Sequence, residues 1–72
     1  MVKIVDEKQT GKYRVLILDS VIMLNRQGQT VKIGCKRFNA FSVHGIDNAI
    51  SIICPQDSNT KFKGCVIEKE QE

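Results

Sequence analysis

The stretch YRVLILDSVIML, residues 13–24, constrains the fold of this chain more than any other. Tyrosine, valine and isoleucine dominate its first half and alanine is absent, the composition of a strand that packs on a pleated surface. Tyr13, Val15 and Ile17 share one parity and Leu16 and Leu18 the other, so both faces are apolar. Such a strand is expected to be central, covered on one side by a helix and partly covered on the other. Asp19 and Ser20 interrupt the run without the Gly or Asn that a two-residue hairpin prefers, so the pattern predicts a bulge or bend in one long strand.

The rest of the chain supplies what could cover that strand. Residues 3–5 read as a weak strand, and 6–12, DEKQTGK, as a polar turn. Residues 25–29, NRQGQ, read as a hairpin loop with Gly28 available for positive φ. Residues 30–41 return as a half-exposed antiparallel strand. Val31, Ile33 and Cys35 face one way, and Thr30, Lys32, Gly34 and Lys36 the other. The phase then slips, and a bulge near Lys36 and Arg37 would restore Phe38 and Ala40 to the core side.

Over residues 42–54 the period changes. Val43, Ile46, Ala49, Ile50 and Ile53 fit one face of a short amphipathic helix, with Ser42 as N-cap and Pro55 as terminator. Residues 56–60 form a polar loop, and 61–68, KFKGCVIE, a last strand. The expected fold is therefore α+β: a three- or four-stranded, mostly antiparallel sheet in the order β-β-β-α-β, with one helix on one face. This layout resembles that of small phage-encoded inhibitor proteins. The analogy is of layout alone and implies a regulator that acts by occlusion.

At 72 residues the chain is one domain, 1–72, and a domain this short buries only about 60% of its unfolded surface. The charged residues 68–72 are expected to fray. No apolar run approaches a membrane span and no signal-peptide core precedes the first strand, so a cytoplasmic protein with no membrane contact is expected. Three cysteines, an odd number, fit that compartment.

Enzyme chemistry finds little to work with. Cys35, His44, Cys54 and Cys65 follow the spacing C-x8-H-x9-C-x10-C, without the close cysteine pair that opens structural zinc sites. Cys35 and His44 lie nine residues apart with no accompanying glycine cluster, and no carboxylate pair is placed for acid–base work. The sequence predicts no catalytic residue, metal, cofactor or small-molecule substrate.

Binding remains. The net charge of +3, from eleven Lys and Arg against eight Asp and Glu, permits an acidic partner. Lys32, Lys36, Arg37, Lys61 and Lys63 are the candidate contact residues. The first reading is a protein-interaction module, because residues 13–24 carry more apolar surface than one short helix can cover, and a partner or second copy must take the surplus. The alternative is a weak, non-specific nucleic-acid-binding protein. It needs exposed aromatics, and a core of this size claims most of the four present.

Overall fold

The computed structural model describes residues 2–54 and 60–70. Six strands form it: β1 (Val2–Thr10), β2 (Tyr13–Leu18), β3 (Gln29–Ile33), β4 (Lys36–Ser42), β5 (Ala49–Ile53) and β6 (Val66–Lys69). They close into a barrel in the order β1-β2-β5-β4-β3-β6, each neighbouring pair antiparallel. The described residues contain no helix. The expected α+β fold is thus replaced by an all-β barrel, and the analogy drawn from a hairpin-helix-strand layout loses its basis.

The helix expected over 42–54 fails for a reason visible in its residues. Ile50, Ile52 and Cys54 point into the core, while Ser51 and Ile53 alternate outward. This is period two, and it fits a β-branched run as well as the helical spacing did. The preceding segment holds Gly45 at φ 84° and turns at 44–45 and 47–48, which end β4 and start β5. Once β2 and β4 flank this segment, a strand satisfies its backbone through both ladders.

Residues 30–41 are not one bulged strand but a tight hairpin. Ile33 faces Lys36 across a two-residue turn, with Gly34 at φ 65° and Cys35 at negative φ. That is the type II′ pattern, whose twist matches the flanking strands. Gly11 and Lys12 repeat it between β1 and β2. The turn, rather than a bulge, inverts the parity and returns Ala40 to the interior and Phe38 against the core. The polar run 6–12 is mostly strand, since β1 continues to Thr10.

β2 ends at Leu18, so residues 13–24 are not one strand. Residues 19–28 do not form a hairpin either, because β2 and β3 lie on opposite sides of the ring. They cross one barrel end. Ile22 and Leu24 pack on the core, while Val21 and Met23 turn outward. Cys54 and residues 60–65 stand at the other end, where Phe62 is buried; Pro55, the expected terminator, and 56–59 of the expected polar loop lie outside the described residues. The last strand is accordingly shorter than expected, starting at Val66. Glu68 and Lys69 belong to it, and the Glu70 amide donates to the Thr30 carbonyl at 3.0 Å. The remainder of the expected frayed tail, 71–72, lies outside the described residues.

Inside the ring, Ile4, Leu16, Leu18, Val31, Ile52 and Ile67 are essentially sealed from solvent. Each contributes about 1.5–3 kcal/mol by burial. Ring closure explains why β2 is apolar on both faces without a helix: one face fills the barrel, and the other lies on its outside.

Candidate functional site: an apolar groove on the outer face of the barrel

A bulge in β1 sets the polarity of one barrel end. The register moves from Ile4–Leu18 to Asp6–Ile17, so Val5 is the extra residue. Beyond it Glu7 and Gln9 stand opposite Leu16 and Arg14, on the inward parity. Arg14 is buried there. Its Nε donates to Gln9 Oε1 at 2.8 Å, and Nη1 to Glu7 Oε2 at 2.9 Å and to the Thr60 carbonyl at 2.6 Å. Its guanidinium lies 5.4 Å from the Phe62 ring centre.

Burial alone would push the Glu7 carboxyl up. The Phe62 amide, the Arg14 guanidinium and the Lys63 amide outweigh it and hold the carboxyl below its usual range. The neighbouring Cys54 thiol goes up, chiefly through burial, with Arg14 opposing, Glu7 adding and Lys36 opposing. This cluster is internally satisfied, and it fastens residues 60–63 to the barrel.

The expected basic residues are distributed around that end. Lys32 and Arg37 are register partners on the outer face of β3 and β4. Lys36 stands opposite Ile33 at the mouth of the hairpin, and Lys61 and Lys63 flank Phe62 on the crossing. All five are exposed. Lys32 and Lys36 do not share one stripe, because the turn at Gly34 and Cys35 puts them on different strands and parities. Acidic side chains interleave: Glu68 is the register partner of Lys32, and Arg37 Nε sits 2.8 Å from Glu70 Oε1.

Other candidates separate. Cys35 is exposed in the β3–β4 turn, Cys54 is in the core and Cys65 is half-buried. Among the described residues no three His, Cys, Asp or Glu side chains are grouped to hold a metal ion. Nor do the described residues include a helix long and apolar enough to cross a membrane.

The outer surface carries two hollows of similar size: one of about 400 Å³ lined by Lys32, Gly34, Cys65, Val66 and Glu68, and one that the basic residues do not line. On the outer face of β4, β5 and β2, Phe41 pairs with Ser51 and Ser51 with Val15. In the next row Ile53 pairs with Tyr13. Ser51 is the small residue in this field, and the surface dips over it. The resulting groove, about 390 Å³, is walled by Thr10, Tyr13, Val15, Phe41 and Val43. Tyr13 and Phe41 meet edge to face, ring centres 6.4 Å apart, which fixes the walls. The Ser51 hydroxyl can donate to the Phe41 carbonyl at 3.4 Å, so it is not an uncommitted polar anchor.

Val43 also lines a smaller hollow of about 160 Å³, with Val21, Met23, Ile46 and Asp47. Val43 thus borders both the groove and this smaller hollow, which exposes more polar than apolar surface. Tyr13, Ile53, Val21, Met23 and Ile46 are exposed large apolar residues around them. The sequence carried part of this signal in the second apolar parity of β2. Phe41 and Ser51 carried none, since nothing local places them beside Val15.

Comparison with known proteins found no matching family model, no matching curated protein and no matching solved structure.

Proposed function

We propose that this chain is a cytoplasmic, non-enzymatic protein-interaction module, a small regulator whose outer groove takes an apolar segment of a partner protein. The carrying observation is the groove itself. Tyr13, Val15, Phe41 and Val43 surround Ser51 on the outside of a barrel whose interior is already filled. A closed barrel has little sheet edge to offer for strand addition, so side-chain contact on a face is its available mode. Tyr and Phe supply large contact area at low entropic cost, and such residues dominate binding energy at interface centres. The lower end of the groove adjoins Lys12, whose ammonium lies 5.8 Å from the Tyr13 ring centre. This favours a partner segment with a carboxylate at that end.

The test is Ser51→Arg, which fills the groove floor from the outer face. The fold is checked by amide NMR, and proteins captured by the wild-type chain are compared with those captured by the variant. Partners lost with the fold intact support the reading, and an unchanged set overturns it. Fluorescence anisotropy with single-stranded DNA and RNA at 50 and 200 mM salt (about a fourfold range) is the second arm. A steep salt dependence that Ser51→Arg leaves unchanged would instead move the function to Lys32, Lys36, Arg37, Lys61 and Lys63.

A further inference from the structure

We infer that Gln27 and Gly28, where the 19–28 crossing meets β3, are positioning residues for the groove: they hold the Phe41 wall in place, so the crossing governs whether the groove is formed. The consequence for binding rests on the docking reading of the groove.

β4 runs to Ser42, but its ladder with β3 stops at the pair Gln29–Ala40. Past that pair β4 has lost its strand neighbour on this side. Gln27 stands in for it, and its side-chain Oε1 accepts from the Ser42 amide at 2.7 Å. One residue on, the Gly28 amide donates to the Ala40 carbonyl at 2.9 Å. Residues 40 and 42, on either side of Phe41, are thus both tied to the crossing. The Phe41 ring lies over Gly28 itself. A carbon placed at the Cβ position there would meet ring Cε1 at 3.7 Å and Cζ at 3.8 Å, ordinary van der Waals contact. The ring's other neighbour is Tyr13, edge to face. Phe41 is therefore clasped between the crossing and Tyr13, and Ser42 sits between two wall residues, Phe41 and Val43.

The two ties differ in how readily they yield. Ala40 and Gln29 are buried, whereas Gln27 is exposed and holds Ser42 through its side chain alone. A side-chain hydrogen bond in contact with water biases a local equilibrium by about threefold to tenfold. Ile22 and Leu24 pack on the core and keep the rest of the crossing in place. Gln27 is thus a latch that can release the wall while the barrel stays closed.

NMR on the intact chain tests this. In the wild type the Tyr13 and Phe41 rings should share an NOE, and the Ser42 amide should exchange at least about tenfold more slowly than a free amide. Gln27→Ala removes the acceptor and should weaken the NOE at least about twofold, with the amide spectrum of the barrel retained. Gln27→Glu keeps an acceptor oxygen at the same reach and should preserve the NOE. An unprotected Ser42 amide in the wild type overturns the latch. So does an NOE that survives Gln27→Ala, or one that Gln27→Glu also loses. In the capture experiment, Gln27→Ala should lose the partners that Ser51→Arg loses, and Gln27→Glu should keep them. If Ser51→Arg removes partners and Gln27→Ala, its wall released, does not, the positioning role is refuted. If Ser51→Arg changes nothing, the docking reading fails, and the NOE still decides the latch.

Discussion

Glu7 fastens one end of the barrel, and two substitutions separate its charge from its hydrogen bonds. The carboxylate and Arg14 side chains are only 17% and 10% exposed. Glu7 Oε2 accepts from Arg14 Nη1 at 2.9 Å and from the Phe62 amide at 3.1 Å, whereas the Lys63 amide is 3.5 Å from Oε1 and adds little. In Glu7→Gln an amide oxygen in the place of Oε2 keeps both short contacts and loses the charge. Charge-assisted bonds exceed neutral ones by about 1 kcal/mol each, so the expected cost is about 2 kcal/mol. Glu7→Ala removes both bonds and leaves a buried guanidinium without its counter-ion, for about 3–5 kcal/mol. A domain of this length has about 4–11 kcal/mol in total, so Glu7→Ala should lower Tm by at least about 12 °C or prevent folding.

The sign with pH follows from the same contacts. The Glu7 carboxyl is held below its usual value, so its contribution is complete above the unfolded value of about 4.3. It is lost as pH falls through the lower folded value. Urea denaturation at a series of pH values measures both effects. The gap between wild type and Glu7→Gln should stay constant from about pH 8 to 5 and narrow below about pH 4. A gap that widens on acidification, or a Glu7→Ala cost below about 1 kcal/mol, would refute the assignment of Glu7 as the ionised partner of Arg14.

Two further outcomes concern the barrel itself. Ile50→Ala should cost about 2–5 kcal/mol in denaturant titration, because Ile50 is 1% exposed and the ring cannot collapse onto the cavity; a cost under about 0.5 kcal/mol would place it outside the core. Gly34→Ala should cost about 1–2 kcal/mol for its positive φ, less what the stiffer unfolded chain returns. No atom lies within 4 Å of the added methyl, so backbone conformation alone is read; a stabilised variant would mean that the turn is not type II′.

Several features belonged to the sequence alone. Val31 and Ile33 opposed to Lys32 marked a strand with a defined inner face, because side chains alternate across a pleated backbone, whereas Leu16 and Leu18 opposed to Val15 and Ile17 marked a strand without saying which face is inner. The tertiary structure decided what followed from pairing. Residues 49–53 fit a helical stripe and a strand alternation equally well, and only flanking by β2 and β4 chose the strand. Glu7 and Arg14 meet because one extra residue, Val5, shifts the parity of β1, a register effect that no local pattern encodes. The groove joins Phe41, Ser51 and Val15 from three strands that become neighbours only when the ring closes. Sequence periodicity reports which way a side chain points; which strand stands beside it is set by long-range hydrogen bonding and burial, and those exist only in the folded chain.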